Sequence, residues 1–370
     1  MQVAFLLFLK SMAIKNKWAV LLPLLLSVII IRLFCSNALV VEKYYSTGIY
    51  PPLSALLKYS FGWLPFSIGD ILYGIFSVWL LIKLLKAIKV LCNNKINRDN
   101  LVKEFYKTVV ILLLLYIFFN VLWGINYNRK GITSQLGIQL EKYSTNQLLT
   151  IDSILLQRVN ESKMAVLRKE SSFKTSGEMF YQAGVAYQKL AGQYSFLQYN
   201  PASVKPSLWG WMGNYLGFTG YYNPFTGEAQ LNTTVPKFLQ PFTSCHEIAH
   251  QLGYAKENEA NFVGYLAAAA SPDTLFHYSV YLDMFLYAQR NLYDADSAAA
   301  KSFAKQLLPE VKADLKEWKL FNERHRNPVE PFFRWLYGKY LQSNQQPSGL
   351  LSYDEVTGFL IAYHKKFGKL

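Results

Sequence analysis

Three runs of about twenty apolar residues, at positions 18–34, 68–90 and 108–127, constrain this chain more than any other feature. Each is long enough to cross roughly 30 Å of hydrocarbon as a helix. The first is too long for a cleaved leader and lacks a small-residue cleavage site, so it reads as an anchor. Arg32, near its end, can extend its charged head toward the interface. Hydrophobic residues make up 52% of the 370 positions and charged residues 17%, with the apolar excess concentrated in the first third. The expected organisation is a membrane region, 1–127, followed by a globular domain, 128–370.

Basic residues near span ends are retained on the cytoplasmic side. Lys10, Lys15 and Lys17 precede the first run, and Lys83, Lys86, Lys89, Lys95, Arg98, Lys103 and Lys107 lie between the cores of the second and third. The loop after the first run offers only Lys43 and Lys58. The expectation is a multi-pass protein with a cytoplasmic N-terminus and an extracytoplasmic domain, and with the lipid bilayer as a partner. Much of the net charge of +14 lies in these flanking segments. Topology explains it, and nucleic acid is not an expected partner. The three cysteines, Cys35, Cys92 and Cys245, form no disulfide framework, so the domain must be held by its core.

Positions 35–67, with Pro51, Pro52, Pro65, Tyr44, Tyr45 and Trp63, read as an outer loop packed on the domain. Ser144 and Gln147 form a capping-box pattern before a helix over 144–167, and a second helix is expected over 177–194. The Gly- and aromatic-rich stretch 199–225 reads as an irregular loop. Positions 227–235 alternate weakly and suggest a short strand. Asp273 is placed to cap a helix to about 293, and Ser352 with Glu355 to cap one over 356–367.

The chemistry concentrates in His-Glu-Ile-Ala-His, 246–250. Histidines four apart on a helix project from one face about a turn apart, so both can reach one metal ion. Glu247 beside them supplies a carboxylate able to take a proton from metal-bound water. In a chain with 5 histidines, a chance match to this pattern is on the order of one in 400. Phe242, Cys245, Ile248, Ala249 and Leu252 form an apolar stripe on the opposite side of the helix, turning the polar pair toward a cleft. Cys245 falls on that packed stripe and reads as a buried small residue rather than a nucleophile. Gly253 can end the helix in a left-handed conformation. A catalytic zinc site needs a third protein ligand, and Glu257 and Glu259 are both candidates.

Glu257-Asn258-Glu259-Ala260-Asn261 resembles the gluzincin metallopeptidases, whose third ligand is a Glu on the next helix. The resemblance implies Zn2+ held by His246, His250 and Glu259, with Glu257 as the alternative ligand and Glu247 activating the water. Asn261 stands where many members carry an Asp and would accept a hydrogen bond from a ligand imidazole. The gap from His250 to Glu259 is short for the best-known members. The metzincin pattern fits through Gly253 and fails at Lys256. In the gluzincin arrangement an edge strand pairs with extended substrate, a part assigned to Gly227, Glu228, Ala229, Gln230, Leu231 and Asn232. An oxyanion donor is sought among Tyr221, Tyr222, His277, His325 and Tyr337.

The wider segment 217–267, behind three spans, looks like the domain-of-unknown-function 3810 family, grouped with zincin-like peptidases. That resemblance implies a bacterial cytoplasmic membrane. The expected fold is mainly α, an α+β zincin-like domain with a small sheet after three transmembrane helices. The expected function is zinc-dependent hydrolysis of a peptide or protein; the alternative is a catalytically inactive zinc-binding envelope scaffold or interaction protein.

Overall fold

A computed structural model describes residues 17–93, 97–170, 172–173 and 175–370. Lys10, Lys15 and Lys95, used above for orientation, lie outside the described residues. The protein is mainly helical with one small sheet, as expected.

Among the described residues, three helices are long and apolar enough to cross a membrane: α1 (Lys17–Cys35), α3 (Ile68–Cys92) and α4 (Arg98–Leu122). Almost none of their length is buried within the protein, so their apolar side chains need lipid around them. They associate the chain with a membrane. Helices α1 and α4 pack alongside each other, with Arg32 over the Tyr116 ring at 5.6 Å. Span α4 ends earlier than expected. Trp123 breaks its geometry and Gly124–Asn128 forms a 3-10 turn in which Gly124, Ile125, Asn126 and Tyr127 are buried. The expected boundary at 127 therefore falls inside a packed cluster of Ile31, Val41, Tyr45, Tyr50, Trp123, Ile125, Tyr127 and Ala255.

The expected loop over 35–67 is helical instead. A π-helical segment, Val41–Ile49, runs into α2 (Tyr50–Phe61), and both lie on the domain. Pro51 and Pro52 do not break α2, because the first turn of a helix has no use for their missing N–H groups.

Behind these come α5 (Gly131–Leu136), α6 (Thr145–Lys169) and α7 (Ser176–Ala191). Ser144 and Gln147 form the expected reciprocal capping box on α6. The stretch read as irregular, 199–225, holds β1 (Val204–Pro206), α8 (Gly210–Leu216) and β2 (Gly220–Asn223). Strand β3 (Glu228–Leu231) completes the sheet in the order β1-β3-β2. β1 runs parallel to β3, pairing Val204 with Ala229, and β2 runs antiparallel, pairing Gly220 with Leu231. Strands of three or four residues fall below what alternation can reveal.

The core is built by α9 (Gln240–Gln251), α10 (Glu257–Ala270) and α11 (Thr274–Ala295) against α6 and α7. Phe242, Cys245 and Ile248 of α9 meet Phe262, Val263 and Phe285 in one buried cluster. Burying each large side chain contributes roughly 1.5–3 kcal/mol. Asp273 caps α11 as expected. Helices α12 (Ser297–Lys305), α13 (Pro309–His325), α14 (Glu330–Ser343) and α15 (Val356–Phe367) follow. The capping box expected before α15 does not form: Ser352 Oγ bonds back to the Gly349 carbonyl within a 3-10 turn, 349–353.

Candidate metal centre

Every residue of α9 is buried, so it is a central helix rather than one with an open polar face. Its last carbonyls lack intrahelical partners, and three residues from the membrane-proximal segments serve them. Trp123 Nε1 donates to His250 O at 3.0 Å, and Tyr50 Oη and Ser54 Oγ each donate to Gln251 O at 3.0 Å. Gly253 then turns the chain at φ 85°, a left-handed conformation suited to glycine.

Helix α10 returns along α9. A Cβ on Gly264 would lie 3.0 Å from His246 N and 3.1 Å from His246 Cα, so glycine permits this close approach. Glu257, at the first position of α10, then faces both imidazoles: its Oε2 is 3.2 Å from His246 Nε2 and 3.5 Å from His250 Nε2. Residues two apart on a helix project about 200° apart, so Glu257 and Glu259 cannot both face the histidines. The preference for Glu259 is corrected in favour of Glu257, the alternative. Glu259 points behind α10 toward Gly131, where a Cβ would collide with its carboxylate, and Gly131 has φ 74°. Burial raises the Glu259 pKa, while Lys256 and Arg129 draw it down. Arg129 itself forms a bidentate pair with Glu42 at 2.8 and 3.0 Å and lies over the Tyr254 ring at 4.6 Å.

His246, His250 and Glu257 each offer one ligand atom within 4.8 Å of the others, a buried arrangement able to hold a metal ion. The hydrogen bonding fits a cation there. His250 Nδ1 lies 2.8 Å from the Tyr254 carbonyl, an acceptor only, so Nδ1 carries a proton and Nε2, facing Glu257, is the nitrogen that can shed its proton to ligate a cation. Glu257 Oε2 is buried and faces the two imidazole Nε2 atoms. Acceptors facing acceptors out of water are costly unless a proton or cation joins them. Burial alone would lower the His250 pKa, but the Glu257 carboxylate overrides it and raises the pKa to about 9. Burial pushes Glu257 the other way, yet the two imidazoles hold it well below the usual carboxylate range.

Glu247 is also buried, its Oε2 unpartnered, and burial raises its pKa to about 7 against the pull of both histidines. Strand β2 passes beside it: a Cβ on Gly220 would come within 2.6 Å of Glu247 Oε1. The span 227–232 does not form an edge. β3 is central, paired on both sides, and all six residues Gly227, Glu228, Ala229, Gln230, Leu231 and Asn232 are buried. Glu228 instead receives Lys205 Nζ at 2.5 Å and the Gly69 amide at 2.7 Å, tying the sheet to the start of span α3. The sheet edge nearest the site is β2.

Asn261 does not meet an imidazole; its Nδ2 donates to the Tyr353 carbonyl at 3.3 Å. Tyr353 in turn lays its ring parallel to His246, centroids 6.2 Å apart. Of the five oxyanion candidates, Tyr337 alone bonds a member of the cluster, donating to Glu257 Oε1 at 2.7 Å and meeting Tyr353 Oη at 3.2 Å. Tyr221 bonds Asp70, Tyr222 pairs with Tyr50, His277 contacts the Ser271 carbonyl, and His325 contacts that of Phe321. Tyr353 and Trp123 escaped sequence reading: they sit over a hundred positions from one histidine or the other in a chain of 26 tyrosines and 8 tryptophans. Cys245 is fully buried with its thiol pKa raised by burial, as expected of a packing residue.

A protein-family model described as a protein of unknown function (DUF3810) matches residues 45–361. The chain belongs to the DUF3810 family. The match takes in spans α3 and α4, the sheet and every residue of the His246–His250–Glu257 cluster, so the site lies within the part that makes this a DUF3810 protein. Comparison with curated proteins and with solved structures finds no match.

Proposed function

We propose that this DUF3810 protein is a membrane-anchored zinc peptidase whose Glu247 is the general base. The observation that carries the reading is a buried carboxylate of near-neutral pKa, with an unpartnered oxygen, beside a cluster of three donors, the number a catalytic zinc site uses. His246, His250 and Glu257 would hold the ion. Bound Zn2+ supplies a Lewis acid and a water acidified to a pKa of about 7. Glu247, ionised near neutrality, accepts a proton from the attacking water and returns it to the leaving nitrogen. The Tyr254 carbonyl fixes the His250 tautomer and keeps the ring directed at the cluster. The hydroxyls of Tyr337 and Tyr353 stay protonated because burial raises both pKa values; Tyr337 would orient Glu257 through its hydrogen bond, and Tyr353 would reinforce it. Strand β2, rather than β3, is the edge against which an extended peptide would lie.

The enclosure of the cluster favours a second reading, an inactive zinc-binding scaffold: His246, Glu247, His250 and Glu257 are each less than 8% exposed. Full-length protein in detergent separates the two. Under the peptidase reading, wild type carries one zinc and cleaves a peptide library, while Glu247→Gln keeps the zinc and loses roughly 10²–10⁴-fold in rate. Cleavage by Glu247→Gln at the wild-type rate overturns the mechanism. Stoichiometric zinc without cleavage of any peptide leaves the scaffold.

The proposed address is the bacterial cytoplasmic membrane with the domain outside. Lys83, Lys86 and Lys89 crowd the domain-distal end of α3, and Lys103 and Lys107 that of α4, supporting this orientation. Cysteines placed at Lys89 and Lys301 should be labelled from opposite sides of the membrane.

A further inference from the structure

Helices α8 and α14 each leave an apolar face uncovered. Trp211, Met212 and Tyr215 of α8, with Leu208 in the turn just before it, are all exposed, Trp211 by 58%. On α14, Phe332, Leu336 and Tyr340 follow one another at four-residue steps with Phe333 and Trp335 alongside, and Trp335 is 57% exposed. The two helices touch each other. A contiguous aromatic surface of this kind on a soluble face would be a liability.

What covers it follows from where the two helices are moored. Trp209, immediately before α8, donates its indole N–H to Asp70 O at 3.0 Å, and its ring abuts Gly74. Gly74 lies about 9 Å along α3 at 1.5 Å per residue. Span α3, at 25 residues, is about 37 Å long against roughly 30 Å of hydrocarbon, and its lysines gather at the far end. Gly74 is therefore at or below the hydrocarbon boundary. Tyr340 of α14 packs edge-on against Phe119 of α4, centroids 6.4 Å apart, three residues before that span ends. Both apolar faces thus continue the lipid-facing surface of the spans at the level of the interface. Tryptophan, tyrosine and phenylalanine flanked by Arg334 and Lys339 is the composition that such a position favours.

We infer that α8 and α14 are interfacial helices whose aromatic faces lie in the domain-side leaflet of the bilayer. The same α14 carries Tyr337, whose hydroxyl holds Glu257. The roof of the metal cluster is then a membrane-lying element. This placement rests on the spans and stands apart from whether the site cleaves peptides.

Nitroxide labels on full-length protein in lipid nanodiscs test it. Cys35→Ser and Cys92→Ser remove the accessible thiols, and Cys245 is buried. Labels at Phe332→Cys, Leu336→Cys and Trp211→Cys are expected to show a several-fold higher ratio of oxygen to aqueous nickel-chelate accessibility than a label at Lys319→Cys on α13. A ratio equal to that of Lys319 overturns the inference. So does spin–spin broadening at Leu336 with low oxygen accessibility, which would mean that a second copy covers the face. A circular dichroism spectrum and melting temperature equal to wild type show that each variant is folded, and a second set at Phe333, Trp335 and Met212 replaces any that is not.

Discussion

At the scale of single residues, the centre turns on which acid of α10 faces the histidines. Glu257 bridges toward both Nε2 atoms, whereas Glu259 belongs to the buried Glu42–Arg129 neighbourhood. Glu257→Ala is therefore expected to lose bound zinc at stoichiometric load, and Glu259→Ala to retain it while losing stability on the order of 1–3 kcal/mol. Metal analysis beside a melting curve decides; zinc retained in the first and lost in the second would reverse the assignment. The same residues predict a pH response. With zinc removed, the His250 pKa is raised from 6.5 to about 9 and that of Glu247 from 4.5 to about 7. A raised group adds stability that is fully present below its unfolded pKa and is lost as pH climbs through the folded one. The metal-stripped protein should thus soften between about pH 6.5 and 9, by on the order of 1–3 kcal/mol, as His250 gives up its proton. Zinc affinity should rise over the same interval, because binding displaces that proton. A melting temperature of stripped protein that climbs across this range would show that His250 does not hold it.

Among elements, the close approach of α9 and α10 sets the geometry of the cluster, and Gly264 is the contact that permits it. Gly264→Leu would press side-chain atoms onto the backbone of Cys245 and His246, atoms that cannot swing aside. The expected cost is about 1–3 kcal/mol, with a coupled loss of zinc affinity as Glu257 moves off. Normal zinc binding in a folded Gly264→Leu protein would refute the coupling. Legibility followed the same division. The spans, the capped helices α6 and α11, and the His246–Glu247–His250 trio were readable because periodicity and local spacing encode them. Whether Glu257 or Glu259 faces inward depends on where α10 starts. Two residues are half a helical turn or more, and element boundaries are the least determined feature of a sequence. That β3 is central was hidden for another reason: its partners β1 and β2 are strands of three and four residues in a stretch whose glycines and aromatics imitate a loop. Glu228, read as part of a substrate strand, gives its charge to Lys205 and to the amides opening α3. No local pattern announces a partner 159 residues away.

For the molecule as a whole, membrane region and domain do not separate at the end of the last span. The carbonyls closing α9 are served by Tyr50, Ser54 and Trp123, and Arg129 reaches back to Glu42. Trp123 also sets its ring edge-on to that of His250, centroids 5.9 Å apart. A fragment beginning at residue 128 would keep all three candidate ligands and Glu247. It would lose those three hydrogen bonds, at roughly 0.5–1.5 kcal/mol each, and expose the apolar side of the cluster around Tyr127. Arg129, beside the new N-terminus, would lose its Glu42 partner, a charged hydrogen-bonded pair contributing roughly 1.5–3 kcal/mol. Against a usual stability of about 5–15 kcal/mol these losses are of the same size as the total. The 128–370 fragment is therefore expected to be unfolded or aggregated and to bind no zinc stoichiometrically, whereas the full chain in detergent binds one equivalent. Circular dichroism with metal analysis of the two preparations is the measurement. A soluble, helical 128–370 fragment holding one zinc would mean that the spans only tether the domain, and that the contacts of Tyr50, Ser54 and Trp123 to α9 are dispensable.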